Sequence, residues 1–195
     1  MDNTLTLASA SPRRKELLEQ IGLEFSVIPS NIEETIIPDE SPEHLVIRLS
    51  LDKARDIAQR FDTRSRWVIG SDTVVVCGNR ILGKPSDEQE AAAMLRLLSG
   101  TSHRVITGFA VIDRLRECQR SEAVTTKVHF RQLTDAEIAR YIATKEPADK
   151  AGAYAIQGFG AGFVSGIEGS YTNVVGLPLC RLTLILKELD VPLVV

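Results

Sequence analysis

The sequence predicts an α/β protein built on a mixed, partly antiparallel central sheet flanked by helices. Three observations carry this reading. Helix-opening signatures at Ser11-Pro12, Ser41-Pro42, Ser86-Asp87 and Thr134-Asp135 alternate with β-branched apolar runs. Gly78-Asn79 is a hairpin turn between two of those runs. Hydrophobic residues make up 44% and charged residues 25% of 195, enough for one buried core and far from the bias that keeps a chain disordered. The chain reads as one domain with room for two lobes.

The elements follow in order. Leu5-Thr6-Leu7-Ala8 is a short strand that turns through Ser9-Ala10-Ser11 into a helix, with Ser11 as N-cap, Pro12 at the first helical position and Gly22 past its end. A strand ends near Pro29. Ser41-Pro42 opens a second helix whose Leu45, Leu49, Ala54, Ile57 and Ala58 repeat at helical spacing to about Arg60. Trp67-Val68-Ile69 leads into Ser71 to Val76 as a central strand, and Arg80-Ile81-Leu82 returns beside it. Ser86-Asp87-Glu88-Gln89 has the pattern of a capping box and opens a helix through Leu98, ended by Gly100. His103 to Ile112 and Glu122 to Phe130 form an antiparallel pair. Thr134-Asp135-Ala136-Glu137 caps a helix to about Ala143, and Pro178 to Leu189 is a closing amphipathic helix. The glycine-rich stretch from Ala151 to Gly176 carries no clear period and stays unassigned.

Composition excludes several classes of function. A net charge of -3 and 5% aromatic residues argue against a surface that tracks nucleic acid, while leaving room for a local basic pocket holding a small anion. Cys77, Cys118 and Cys180 are odd in number and far apart, so they suggest neither a disulfide framework nor a zinc site. The N-terminus lacks the features of a signal peptide and no apolar run reaches the roughly 18 residues of a membrane span. A cytoplasmic location without a membrane partner is expected.

Four groups of residues could carry chemistry. Ser9 to Arg14 joins a strand to a helix N-terminus, where free N–H groups and the dipole favour an anion. It is either a capped surface helix with two solvated arginines or a phosphate cradle in which Arg13 and Arg14 make bidentate contacts. Asp72 interrupts an apolar run, where a buried carboxylate needs a partner. It is either a strand-end residue bonded to amides or a metal ligand or general base. Glu33 and Glu34 sit in a polar connection, as solvated acids or as metal ligands. Gly78 to Pro85 nearly matches GxxxxGK[ST], yet Pro85 stands where the hydroxyl residue belongs and no helix follows Lys84, so a P-loop is rejected. Lys84 remains a single charge, solvated or directed at a phosphate.

Taken together, Leu7 to Arg14, Glu33-Glu34, Lys53-Ala54, Gly70-Ser71-Asp72-Thr73, Gly83-Lys84-Pro85, Lys150 to Tyr154, Ile156-Gln157-Gly158 and Val175 to Pro178 closely resemble the Maf family of nucleotide pyrophosphatases. Their order and approximate spacing match from Leu7 to Leu179. The resemblance implies a single bilobed domain over residues 1–195, two lobes around a cleft, similar in architecture to inosine triphosphate pyrophosphatases. It implies hydrolysis of a nucleoside triphosphate to the monophosphate and pyrophosphate, with magnesium or manganese as cofactor. By that likeness Asp72 is the catalytic acidic residue, Ser9, Arg13, Arg14, Lys53 and Lys84 surround the phosphates, and Glu33 helps Asp72 hold the metal or orient water. One departure is Asn31-Ile32 ahead of Glu33, where many relatives carry another acid.

Arg13 with Thr73 and Gln157 resembles the branch acting on dTTP and UTP rather than the branch preferring 7-methyl-GTP. Gln157 offers both a donor and an acceptor to a uracil or thymine edge. Modified pyrimidine triphosphates are expected substrates by the same likeness, a house-cleaning role that keeps them out of RNA. The alternative from another class is a nucleotide-binding regulator of cell division without turnover, since relatives have been described as inhibitors of septum formation. The expected partner is the small-molecule nucleotide, with no nucleic acid, and a homodimer is left open.

Overall fold

The computed structural model describes residues 2–35, 37–60 and 64–193. In chain order they form strand β1 (Asp2–Leu7), helix α1 (Pro12–Gln20), β2 (Phe25–Val27), α2 (Pro42–Ala58), β3 (Ser65–Cys77), β4 (Arg80–Leu82), α3 (Glu88–Leu98), β5 (Ser102–Asp113), β6 (Cys118–Phe130), α4 (Asp135–Ala143), β7 (Val164–Glu168), α5 (Tyr171–Val175) and α6 (Leu179–Glu188). The strand order is β2-β1-β3-β5-β6-β7, with β4 paired to β3. β1 runs parallel to β2 and β3, whereas β3 with β4 and β6 with β7 are antiparallel. β5 and β6 are neighbours joined by only four residues, 114–117, which forces an antiparallel pair. The expected mixed sheet is therefore present. Among the described residues no helix is long and apolar enough to cross a membrane.

The chain divides into two compact units. The first comprises Met1–Asp72, Thr107–Val124 and Gly176–Val195, and the second Thr73–Ile106 and Thr125–Val175. β3, β5 and β6 each give residues to both units.

In the first unit, α2 lies directly on the sheet because two glycines let its backbone in. A Cβ on Gly70 would fall 2.1 Å from the Ser50 carbonyl oxygen, and one on Gly108 would fall 2.3 Å from that of Val46. Small residues fill the same face, with Ala8, Ala54, Ile57, Val68 and Ala110 in one buried cluster. Side chains alternate along a strand, so Val68, Gly70 and Asp72 share that face of β3. Trp67 points the other way and donates from Nε1 to the Leu189 carbonyl at 3.1 Å, just beyond α6.

The second unit packs α3 and α4 against Val75, Val105, Val128 and Phe130. Thr134 and Glu137 make the reciprocal capping box at α4 that their spacing predicts. At α3 the expected box is displaced by one residue. Asp87, not Ser86, is the N-cap and accepts from the Glu90 N–H, while the Glu90 carboxylate reaches back to Ser86. Either the Ser86 hydroxyl or the Asp87 carboxylate can accept a first-turn amide, so the motif alone does not set its own register. Gly78 turns the β3–β4 hairpin at φ +57°, and Ile81 and Leu82 lie in β4, which agrees with rejection of a P-loop. The stretch without a clear period holds two short 3-10 helices, Ala151–Ala153 and Gly158–Phe163, followed by β7 and α5, and a further 3-10 helix, Glu146–Asp149, precedes it.

Candidate active site

Asp72 ends the first of the three segments that make up the first unit, and the close approach at Gly70 determines what faces it. The α2 turn that touches Gly70 runs from Ser50 to Ala54, so Lys53 comes down beside the carboxylate two residues along β3. Lys53 Nζ donates to Asp72 Oδ1 at 2.6 Å. It also meets Glu34 Oε1 at 2.6 Å. Lys53 is 8% exposed and Asp72 7%, so each supplies the counter-charge without which the other would be costly to bury.

Glu34 reaches this pair because its connection is tied to α2 on both sides. The Asn31 N–H donates to Asp56 Oδ2 at 3.1 Å, and Arg48 Nη2 donates to the Thr35 carbonyl at 2.8 Å while holding Glu40 through two further bonds. The sequence-based choice between the adjacent acids fell on Glu33. Both are exposed, and the carboxylate in contact with Lys53 is that of Glu34. The acidic doublet was a visible signal, but an irregular loop has no period from which to read side-chain direction.

The turn from β1 to α1 is organised around the Gly176 carbonyl. Arg14 Nε donates to it at 2.9 Å, and the Ser71 hydroxyl lies 3.2 Å from it while the Gly108 carbonyl is nearer, at 2.9 Å. Arg14 Nη1 also donates to Ser9 Oγ at 3.1 Å, and the Ser11 N–H approaches the same oxygen at 3.3 Å. Ser11 is the N-cap residue, as its place before Pro12 predicts, but its side chain makes no capping bond. Arg13 and Arg14 thus occupy the positive end of α1, both half-buried. Burial lowers the proton affinity of the Arg14 guanidinium and the Asp72 carboxylate opposes it, with smaller effects from Arg13 and Glu34. Arg14 is therefore within electrostatic reach of both acids. Ser71 and Gly176 are parts of this turn that composition and charge could not reveal.

Ser9, Arg13, Arg14, Lys53, Asp72 and Glu33 all lie in the first unit, while Thr73, Lys84 and Gln157 belong to the second. Thr73 follows Asp72 on β3 and is half-buried, as is Gln157; Lys84 is exposed. Two motifs of the second unit are bonded to each other, since the Gly152 N–H donates to the Gly83 carbonyl at 3.0 Å. Lys84 thereby follows a residue held to the segment that leads into Gln157.

The donor set suits a hard divalent cation. Magnesium and manganese take oxygen ligands, often one or two carboxylates completed by phosphate oxygens and water. Asp72 and Glu34 converge on one cationic centre, now the Lys53 ammonium. Among the described residues no cluster of three or more His, Cys, Asp or Glu forms a metal site.

Comparison with known proteins gives a consistent picture. A family model described as "Maf-like protein" matches residues 4–189. The chain is 56% identical over 188 residues to a dTTP/UTP pyrophosphatase of Syntrophotalea carbinolica, covering 96% of this chain and 86% of that protein. It is 57% identical over 177 residues to a dTTP/UTP pyrophosphatase of Geobacter sulfurreducens, covering 91% and 92%. A protein of the same description from Alkaliphilus oremlandii is 52% identical over 184 residues, covering 94% and 95%.

Proposed function

The chain belongs to the Maf family, and from that membership we propose that it is a nucleoside-triphosphate pyrophosphatase that cleaves dTTP and UTP to the monophosphate and pyrophosphate. The observation that supports the chemistry most directly is the convergence of Asp72 and Glu34 on Lys53 beside Arg14. An enzyme that accepts both dTTP and UTP must read what the two share. They differ at the 5-methyl and the 2′-hydroxyl and share a base edge with one N–H donor flanked by carbonyl acceptors. The Gln157 amide, a donor and an acceptor, is suited to that edge.

The reaction is attack of water on the α-phosphorus. Asp72 takes the proton of the attacking water as the new P–O bond forms, and the bond from α-phosphorus to the bridging oxygen breaks, with its electron pair leaving on pyrophosphate. Lys53 holds Asp72 through Oδ1, which leaves proton acceptance to Oδ2. Arg13, Arg14, Lys53 and Lys84 carry the cationic charge that meets the polyphosphate, and Ser9 orients Arg14. A magnesium or manganese ion, held by Asp72 and Glu34, would supply further neutralisation of the triphosphate.

The test is to incubate the purified protein with magnesium or manganese and a panel of nucleoside triphosphates, assaying pyrophosphate and orthophosphate separately. Pyrophosphate released without orthophosphate, fastest from dTTP and UTP, is the expected result. Orthophosphate as the first product would point to an ordinary phosphatase and overturn the reading, and nucleotide binding with neither product would favour a regulator without turnover.

A further inference from the structure

The segment around Gln157 is bracketed by a polar clamp that the reaction does not use. Tyr141, on α4, accepts the Ala155 N–H at 3.2 Å and donates its hydroxyl to Glu146 Oε1 at 2.9 Å. The Glu146 carboxylate then accepts the Phe159 N–H at 3.0 Å through Oε2 and the Gly160 N–H at 3.1 Å through Oε1. Three donors from two segments therefore end on one carboxylate, and the two sides of Gln157 are joined through it.

Glycines make the clamp sterically feasible. A Cβ on Gly158, whose φ is +65°, would fall 2.5 Å from Glu146 Oε2. At Gly160 a Cβ would fall 2.4 Å from the Ala155 carbonyl oxygen and 2.8 Å from the Tyr141 hydroxyl, so residues 155 and 160 close a tight loop with that hydroxyl at its neck. The tip of this loop gains little from apolar burial, because Gly158 is exposed and Phe159 is 70% exposed. With its tip exposed and only its ends buried, the loop depends on hydrogen bonds for the conformation of its tip, and a carboxylate that accepts several is a strong device for that.

We propose that Glu146 and Tyr141 are positioning residues that hold the backbone on both sides of Gln157 and so set the direction of its amide for base discrimination. This rests on the reading that Gln157 meets the base. A misdirected amide forfeits its paired hydrogen bonds to the base edge but leaves the phosphate chemistry intact. The clamp therefore acts on KM and on choice between bases more than on kcat.

The test compares steady-state kinetics on dTTP, UTP, CTP and GTP, with thermal melts, for the wild type, Glu146→Gln, Tyr141→Phe and Gln157→Ala. Gln keeps the size of Glu146 with one acceptor oxygen in place of two, and Phe removes only the hydroxyl. In both clamp variants, KM for dTTP and UTP is expected to rise about tenfold with kcat held within about threefold, and preference over CTP and GTP to shrink as it does in Gln157→Ala. Glu146→Gln combined with Gln157→Ala should be no less selective than Gln157→Ala alone. If Gln157→Ala loses discrimination while both clamp variants keep it, or if they show only a uniform fall in kcat, the positioning role is overturned and the base-reading role of Gln157 stands. If Gln157→Ala itself keeps full discrimination, the base reading fails and the clamp's role falls with it. Should Glu146→Gln not fold, Tyr141→Phe decides by the same criteria.

Discussion

Asp72 and Lys53 form a buried ion pair whose ammonium is shared with the exposed Glu34, and the sharing makes the two ends of the pair unequal. Removing Asp72's charge leaves Lys53 with Glu34, whereas removing Lys53 leaves two carboxylates facing one another. Asp72→Asn is accordingly expected to lower turnover by about 10²- to 10⁴-fold, the usual worth of a general base, while costing only about 1 kcal/mol of stability. Lys53→Met is expected to cost about 3 kcal/mol, the order found when a buried pair is broken. Urea denaturation alongside pyrophosphate release measures both. An Asp72→Asn protein that turns over like the wild type would remove Asp72 from the chemistry, and a Lys53→Met protein of unchanged stability would show that the pair is not buried as described.

Among the elements, α2 has a placement that function depends on, and the glycines beneath it decide that placement. Gly70 admits the Ser50–Ala54 turn to van der Waals contact with β3, which in turn brings Lys53 to Asp72. Gly70→Ala puts a Cβ into the Ser50 carbonyl, so α2 must lift from the sheet. The expected outcome is a loss of about 3 kcal/mol, at the upper end for overpacking, together with lower activity from the separated pair. The check is a denaturation curve and a rate on the same preparation; a Gly70→Ala protein with wild-type stability would mean that α2 does not rest on that glycine. Local signals read this part of the chain well. Ser41-Pro42 does open α2, with the Ser41 hydroxyl accepting the His44 N–H, because a cap is a contact between residues three apart. The meaning of Gly70 was hidden, because a glycine in a strand carries no mark of what approaches it.

At the scale of the whole molecule, stability should carry a signature of acid. His103 is buried in the second unit, its Nε2 2.7 Å from the Tyr154 hydroxyl and its ring edge-on to Phe130. Burial, with a smaller contribution from His129, lowers its pKa from 6.5 to about 4. The imidazole therefore stays neutral in the folded protein over a range where the unfolded chain takes up a proton. The His103 contribution is unchanged well above pH 6.5 and turns against the folded state as the pH falls towards 4, by about 3 kcal/mol in total. Urea midpoints measured from pH 7 to pH 4 should show this decline in the wild type and a shallower one in His103→Gln; identical slopes would exclude His103 as the cause. The Tyr154 hydroxyl is held neutral in the same core, its pKa raised by burial. By itself the sequence determined the order of most helices and strands, the capping box at α4, the tight turn that joins β1 to the N-terminus of α1 and, through its motifs taken together, the family. Those properties are local in the chain, or are patterns of residue type that survive without coordinates. Only the tertiary structure decided that Glu34 rather than Glu33 meets Lys53, that Ser71 and Arg14 share the Gly176 carbonyl, and that Glu146 and Tyr141 brace the Gln157 loop. Each of those arrangements has at least one partner on irregular backbone, where side-chain direction is set by tertiary hydrogen bonds and not by any period along the chain.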